Sequence, residues 1–188
     1  MKRVLFPILA AGASLLAISA HAANDGGQIN FEGELTAQTC AVNVDGQTAQ
    51  PAIVVLPTIA TSLLQAPGSV ASNRAFMINL TGCKEQGGKA LAFFEYNAAF
   101  VDFTDGTLKN LLPTGATTAE SVHLQLKDGV TGNPIVVGSG AQLTSNTAQT
   151  IDAAGNATLP YSVQYISPKG SATAGKVSSS VTYSIAYN

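Results

Sequence analysis

Residues able to do chemistry are scarce in this sequence of 188 residues. The two cysteines, Cys40 and Cys83, could pair, ligate a metal or cycle between redox states, but their spacing is nothing like a C-x-x-C motif. His123 lies in Ser121-Val122-His123-Leu124-Gln125-Leu126, where alternation turns Val122, Leu124 and Leu126 inward and His123 outward. A solvated strand histidine fits this setting better than a general base, because no serine occupies a nucleophile-elbow motif. Asp102 and Asp105, just before Gly106, lack the further ligands that a calcium loop needs at its fixed spacing; they read as turn residues. Gly138-Ser139-Gly140 lacks the strand–turn–helix setting of a phosphate loop and reads as an ordinary loop. Asn79-Leu80-Thr81 and Asn156-Ala157-Thr158 match the glycosylation pattern, which arises often by chance, and are assigned no role. Phe93, Phe94, Tyr96, Phe100 and Phe103 could line a ligand surface. Phe93 and Phe94 point to opposite faces of one strand, so core and interface are expected in preference to a cleft. No catalytic, metal-binding or cofactor-binding set can be assembled from these residues.

The elements around them begin with an export signal. Met1-Lys2-Arg3 is followed by an apolar run from Val4 to Ala20 and then by Ala20-His21-Ala22, the charged, apolar and small-residue regions of a cleaved secretory signal. Cleavage after Ala22 is expected, giving a signal peptide over residues 1–22. A retained membrane anchor is the competing reading, but the run is short for a span and has no stop-transfer flank. Without Lys2 and Arg3, seven basic residues face eleven acidic ones, a formal charge of −4 with no basic cluster. This argues against a nucleic-acid partner. Export implies an oxidising compartment, in which Cys40 and Cys83 are expected to pair. Closing a loop of that length stabilises a fold by roughly 3 to 4.5 kcal/mol on the chain-entropy account.

Beyond the signal the chain has ordinary single-domain length. Short alternating or apolar runs at 28–35, 41–44, 52–56, 75–80, 90–96, 121–126, 135–138, 157–166 and 177–187 are separated by turn clusters such as Asp45-Gly46 and Gly155-Asn156, and each predicts a strand. Helix is nearly absent, with 58–65 the one candidate. Many short strands with turns between them predict an all-β, immunoglobulin-like sandwich.

The two ends depart from an ordinary sandwich. Val177, Ser179, Val181, Tyr183, Ile185 and Tyr187 share one face of a strand that runs to the last residues, and Gly27, Ile29, Phe31, Gly33 and Leu35 share a face almost at the mature N-terminus. Termini are usually frayed and polar. The early strand therefore either pairs within its own sheet or is added to another molecule, and periodicity does not separate the two.

The run Gly26-Gly27-x-Ile29-x-Phe31-x-Gly33-x-Leu35 leading to Cys40, the run Phe76-x-Ile78-x-Leu80-x-x-Cys83, and a C-terminal strand introduced by Gly175 with penultimate Tyr187 together resemble the pilin subunits of chaperone–usher pili, most closely the major subunit of type 1 fimbriae. The resemblance spans the mature chain. It implies an incomplete immunoglobulin-like sandwich, lacking its last strand and completed by a donor strand from another subunit, with a disulfide joining the start of the first core strand to the end of the third. By position, residues 23–35 would be the donor extension, with Gly27, Ile29, Phe31, Gly33 and Leu35 as the donor strand, and residues 36–188 the pilin domain. Gly175, Val177, Val181, Tyr183, Ile185 and Tyr187 would form the groove edge and the strand gripped by a periplasmic chaperone. The implied partners are neighbouring subunits of a homopolymer, that chaperone and an outer-membrane usher. The implied location is a cell-surface pilus reached through the periplasm, and the implied role is structural, supporting adhesion, with no cofactor and no enzymatic activity. Pro57 departs from the family, which usually has glycine after the run Val54-Val55-Leu56. A minor adaptor or terminator subunit and a self-contained secreted β-sandwich that binds a small ligand are the rival readings; a two-domain tip adhesin is excluded by length.

Overall fold

The alternating runs become strands where each finds a backbone partner. The computed structural model describes residues 40–84 and 87–188, so the expected signal peptide and donor extension lie outside the described residues. Among the described residues eight strands form: β1 (Ala41–Val44), β2 (Ser69–Thr81), β3 (Lys89–Phe94), β4 (Leu108–Lys109), β5 (His123–Asp128), β6 (Gln149–Thr150), β7 (Ala157–Ser167) and β8 (Tyr183–Tyr187). Five make a sheet in the order β1-β2-β7-β5-β4, and three make a second in the order β6-β3-β8. These strands pair with one another antiparallel throughout. The protein is all-β with an immunoglobulin-like fold.

The core lies between the sheets and is built from the apolar face of each strand, with Ile78, Leu80, Leu91, Phe94, Leu159 and Tyr161 among its most buried side chains. Tyr161 locks one sheet to the other. Its ring meets Phe94 edge-on with centroids 5.0 Å apart, and its hydroxyl accepts a hydrogen bond from the Ala92 N–H at 2.8 Å. Burial holds the Tyr161 phenol up at about 12. Cys40 and Cys83 are bonded, with Cα atoms 4.3 Å apart. They tie the residue before β1 to the end of β2, strands already paired from Ala41 opposite Thr81.

Several expected strands are shorter or differently made. The run at 135–138 forms no ladder; it is held by a bridge of Pro134 with Lys127 and by single backbone bonds from the Ile135, Val137 and Gly138 N–H groups to the Leu126, Gly106 and Phe94 carbonyls. The expected helix over 58–65 is a single 3-10 turn, Thr61–Leu64, and the one α-helical turn, Gln142–Ser145, is where no helix was predicted. The C-terminal strand ladders with β3 only over Tyr183–Tyr187, because β3 ends at Phe94; residues 177–182 run extended beyond it. The run at 52–56 is likewise extended, with no ladder partner among the described residues.

Candidate functional site: an open slot between two extended segments

The two extended segments without full partners, 51–57 and 177–183, flank one trench. Along the first, Ala52, Val54 and Leu56 pack against the core while Ile53 and Val55 are 68% and 73% exposed. Along the second, Val177, Val181, Tyr183, Ile185 and Tyr187 are half-buried against the core or the smaller cluster beside it, and Ser178, Ser180, Thr182 and Ser184 face out. Both keep the period-two alternation of a strand in a sheet although no strand lies between them among the described residues.

Backbone bonding identifies the open edge. Asn188 exchanges both its backbone bonds with Lys89, and the Glu95 N–H donates to the Thr182 carbonyl. Even-numbered residues of the C-terminal segment therefore turn their N–H and C=O toward β3, and Val177, Ser179, Val181, Tyr183, Ile185 and Tyr187 turn theirs to the opposite edge. That edge has no backbone partner among the described residues. Across the trench, Ala52, Val54 and Leu56 also make no backbone bonds.

Three contiguous cavities occupy the space between these rows. One of about 200 Å³ is floored by Phe76, Ile78, Phe94, Leu124, Leu126 and Val163 and walled by Ala52, Val54, Leu56, Val181 and Tyr183. The next, of about 460 Å³, lies between Leu56, Leu124, Tyr165 and Val177. The third, of about 580 Å³, continues past Tyr165 and Val177 to Ile59, Leu64, Leu112, Val122 and Gly175. Burial beside this trench pushes the phenols of Tyr165, Tyr183 and Tyr187 up.

Both ends of the C-terminal segment are fixed. At its start, a Cβ on Gly175 would lie 2.3 Å from the Ala119 nitrogen, so glycine there lets the chain press against residues 117–119. Lys176 donates its N–H to the Thr117 carbonyl and accepts from the Ala119 N–H. At its far end the Tyr187 hydroxyl reaches the Cys40 sulfur at 3.3 Å. Gly175, Val177, Val181, Tyr183, Ile185 and Tyr187 thus lie along one side of the slot. Gly27, Ile29, Phe31, Gly33 and Leu35 lie outside the described residues. Sequence reasoning did not assign the facing wall, Ala52, Val54 and Leu56, to the site, although their alternation marked it; nor did it find the floor residue Tyr165, whose hydroxyl donates to the Pro57 carbonyl at 3.3 Å.

The candidate chemical residues are engaged elsewhere. His123 is half-buried instead of solvated, with Nδ1 2.7 Å from the Thr107 hydroxyl, which donates to Asp105 at 2.6 Å. Burial, the largest influence, holds the imidazole below its usual range against the upward pull of Asp105 and Asp102. Asp102 and Asp105 close turns by accepting the N–H groups of Thr104 and Thr107. Phe94 is in the core and Phe103 is 88% exposed. The described residues hold no cluster of three or more acidic, histidine or cysteine side chains that could bind a metal, and no helix among them is long and apolar enough to cross a membrane.

The type-1 fimbrial protein (FimA) family profile covers residues 56–188. The F17 fimbrial protein of Escherichia coli is 38% identical, with all of this chain and 99% of that protein aligned. The major fimbrial subunit SMF-1 of Stenotrophomonas maltophilia is 36% identical over 91% of this chain and 96% of its own length. Among solved structures, a subunit chain of a chaperone–usher pilus superposes over 88% of this chain and 97% of its own, at 18% identity and a TM-score of 0.53, and so shares the fold. The family profile and fimbrial relatives along its length place this all-β, disulfide-bonded chain in the type-1 fimbrial protein family.

Proposed function

We propose that this chain is the major shaft subunit of a chaperone–usher pilus and polymerises by donor-strand exchange, supporting adhesion through the organelle it builds. The slot carries this reading: two rows of backbone with no partner among the described residues face each other across an apolar floor, the surface that strand addition requires. A segment with Ile29, Phe31 and Leu35 on one face and Gly27 and Gly33 between supplies the matching pattern. From Gly27 to Leu35 such a strand is ~27 Å long, and the slot edge from Val177 to Tyr187 is ~34 Å at the usual rise, so all five positions fit. Burying side chains the size of Ile or Phe stabilises the joint by roughly 1.5 to 3 kcal/mol each, so no covalent link is needed.

Before assembly the same slot takes a strand from a periplasmic chaperone, and an outer-membrane usher hosts the exchange. Residues 1–22 direct export, and the folded product is displayed outside the cell. A fimbrial relative described as a major subunit, 36% identical, supports the shaft role; copy number in isolated fibres separates it from a minor adaptor or terminator. A synthetic peptide of residues 24–36 added to protein lacking that segment tests the joint. Binding with a raised melting temperature is expected. A cooperative, stable monomer that ignores the peptide overturns the proposal.

A further inference from the structure

The wall of the slot formed by 51–57 has a second edge, and one side chain occupies it. Gln47 donates its side-chain amide to the Ile53 carbonyl at 3.0 Å and accepts the Ile53 N–H on its side-chain oxygen at 3.1 Å. A residue in extended conformation turns its N–H and C=O to the same side, so this pair reproduces the two bonds that a neighbouring strand would make. The bonds of Ala52, Val54 and Leu56 point the opposite way. Gln47 is absent from the residues lining the slot cavities, which Ala52, Val54 and Leu56 do line. The amide therefore sits on the outer edge.

The same device closes another strand of this molecule. Past the end of β6, Phe94 in β3 donates its N–H to the Gln142 side-chain oxygen and accepts from the Gln142 amide, both at 3.0 Å. There the glutamine is buried and shares the Phe94 carbonyl with the Gly138 N–H.

We propose that Gln47 is a positioning residue that serves as a one-residue strand partner for Ile53. It closes the outer edge of 51–57 and holds the inner edge where an incoming strand can bond to it. Ile53-Val54-Val55 is β-branched, extended and carries two exposed side chains, the composition that makes an open edge a template for stray pairing. A side-chain amide satisfies that edge without adding a strand. An added strand then finds a fixed wall on one side and β8 on the other. The inference rests on the strand-addition reading for the second of these roles and is independent of it for the first.

The test uses the full chain, as wild type, Gln47→Ala and Thr48→Ala, the last an exposed neighbour. Residue-level hydrogen exchange is expected to show the Ile53 amide slower than the Val55 amide in wild type and equal to it in Gln47→Ala. Fibres of Gln47→Ala are expected to release subunits in denaturant roughly threefold to tenfold faster than wild type, the size of effect expected from two partly exposed hydrogen bonds, with Thr48→Ala unchanged. Equal exchange at Ile53 and Val55 in wild type overturns the edge closure. Equal release rates for Gln47→Ala and wild type overturn the positioning role. A wild-type chain that forms no fibres overturns the strand-addition reading and with it the positioning role, and the exchange result still decides the edge closure.

Discussion

The hydroxyl of Tyr187 lies 3.3 Å from the sulfur of Cys40, which sets the end of the slot-forming strand against the disulfide at the head of β1. The covalent bond and the slot are thus one neighbourhood. Replacing both Cys40 and Cys83 by alanine is expected to cost roughly 3 to 4.5 kcal/mol of folding stability on the chain-entropy account and to loosen the seat of Tyr187. Yield of chaperone-bound subunit from periplasmic extracts measures it: the double variant should give less complex, and equal yields would count against the coupling.

Phe31→Asp should abolish fibres without harming the subunit's own core, because the proposed donor strand completes a different molecule. Chaperone-bound Phe31→Asp subunit should stay soluble at wild-type levels while electron microscopy finds no fibres. Normal fibres from this variant would refute the donor assignment.

Tyr161→Phe should destabilise by about 1 to 3 kcal/mol, because the Ala92 N–H, buried between the sheets, loses its acceptor. The aromatic contact with Phe94 survives the change. Denaturant midpoints of assembled protein report the loss, and an unchanged midpoint would mean that a water replaces the hydroxyl.

Gly175→Ala should shift the start of the slot strand, since its Cβ would lie within 2.3 Å of Thr118 and Ala119 backbone atoms. Overpacking of this kind costs about 1 to 3 kcal/mol. Reduced fibre yield with the fold retained by circular dichroism is the expected pair of results.

Acid should weaken the fold through His123. Its folded pKa lies below the ordinary 6.5, chiefly from burial, so the unfolded chain binds the proton more readily. Stability is then full above about 6.5 and falls as pH drops through that value toward the folded pKa. Melting temperatures between pH 7.5 and 5.5 should fall less in His123→Gln than in wild type.

Much of this was legible in the sequence because period-two alternation survives wherever one face is buried. It marked β5, β7 and both halves of the C-terminal segment, and the family resemblance was carried by the run before Cys40, the run from Phe76 to Cys83 and the C-terminal strand. It could not tell a laddered strand from a stretch that is extended without a partner, since side chains alternate alike in both; hence 52–56 read as an ordinary strand and 177–187 as one unbroken strand. Gln47 and Gln142 were invisible for another reason. Their roles depend on contacts with Ile53 and Phe94 that no local pattern encodes. His123 was misread as solvated because its partner Thr107 comes from the neighbouring edge of the sheet.

The sealing of β3 past β6 by Tyr161 and Gln142 gives the three-stranded sheet a polarity of growth. On that flank the valences of Ala92 and Phe94 are already spent on these side chains and on the Gly138 N–H, whereas the outer edge of β8 has no backbone partner among the described residues. Under the proposed strand addition, a sheet extended at that edge acts as a monovalent acceptor, and a monovalent acceptor joined to a monovalent donor makes unbranched chains. Linearity of the fibre would then be a property of two side chains in the folded subunit, settled before any other protein takes hold of it.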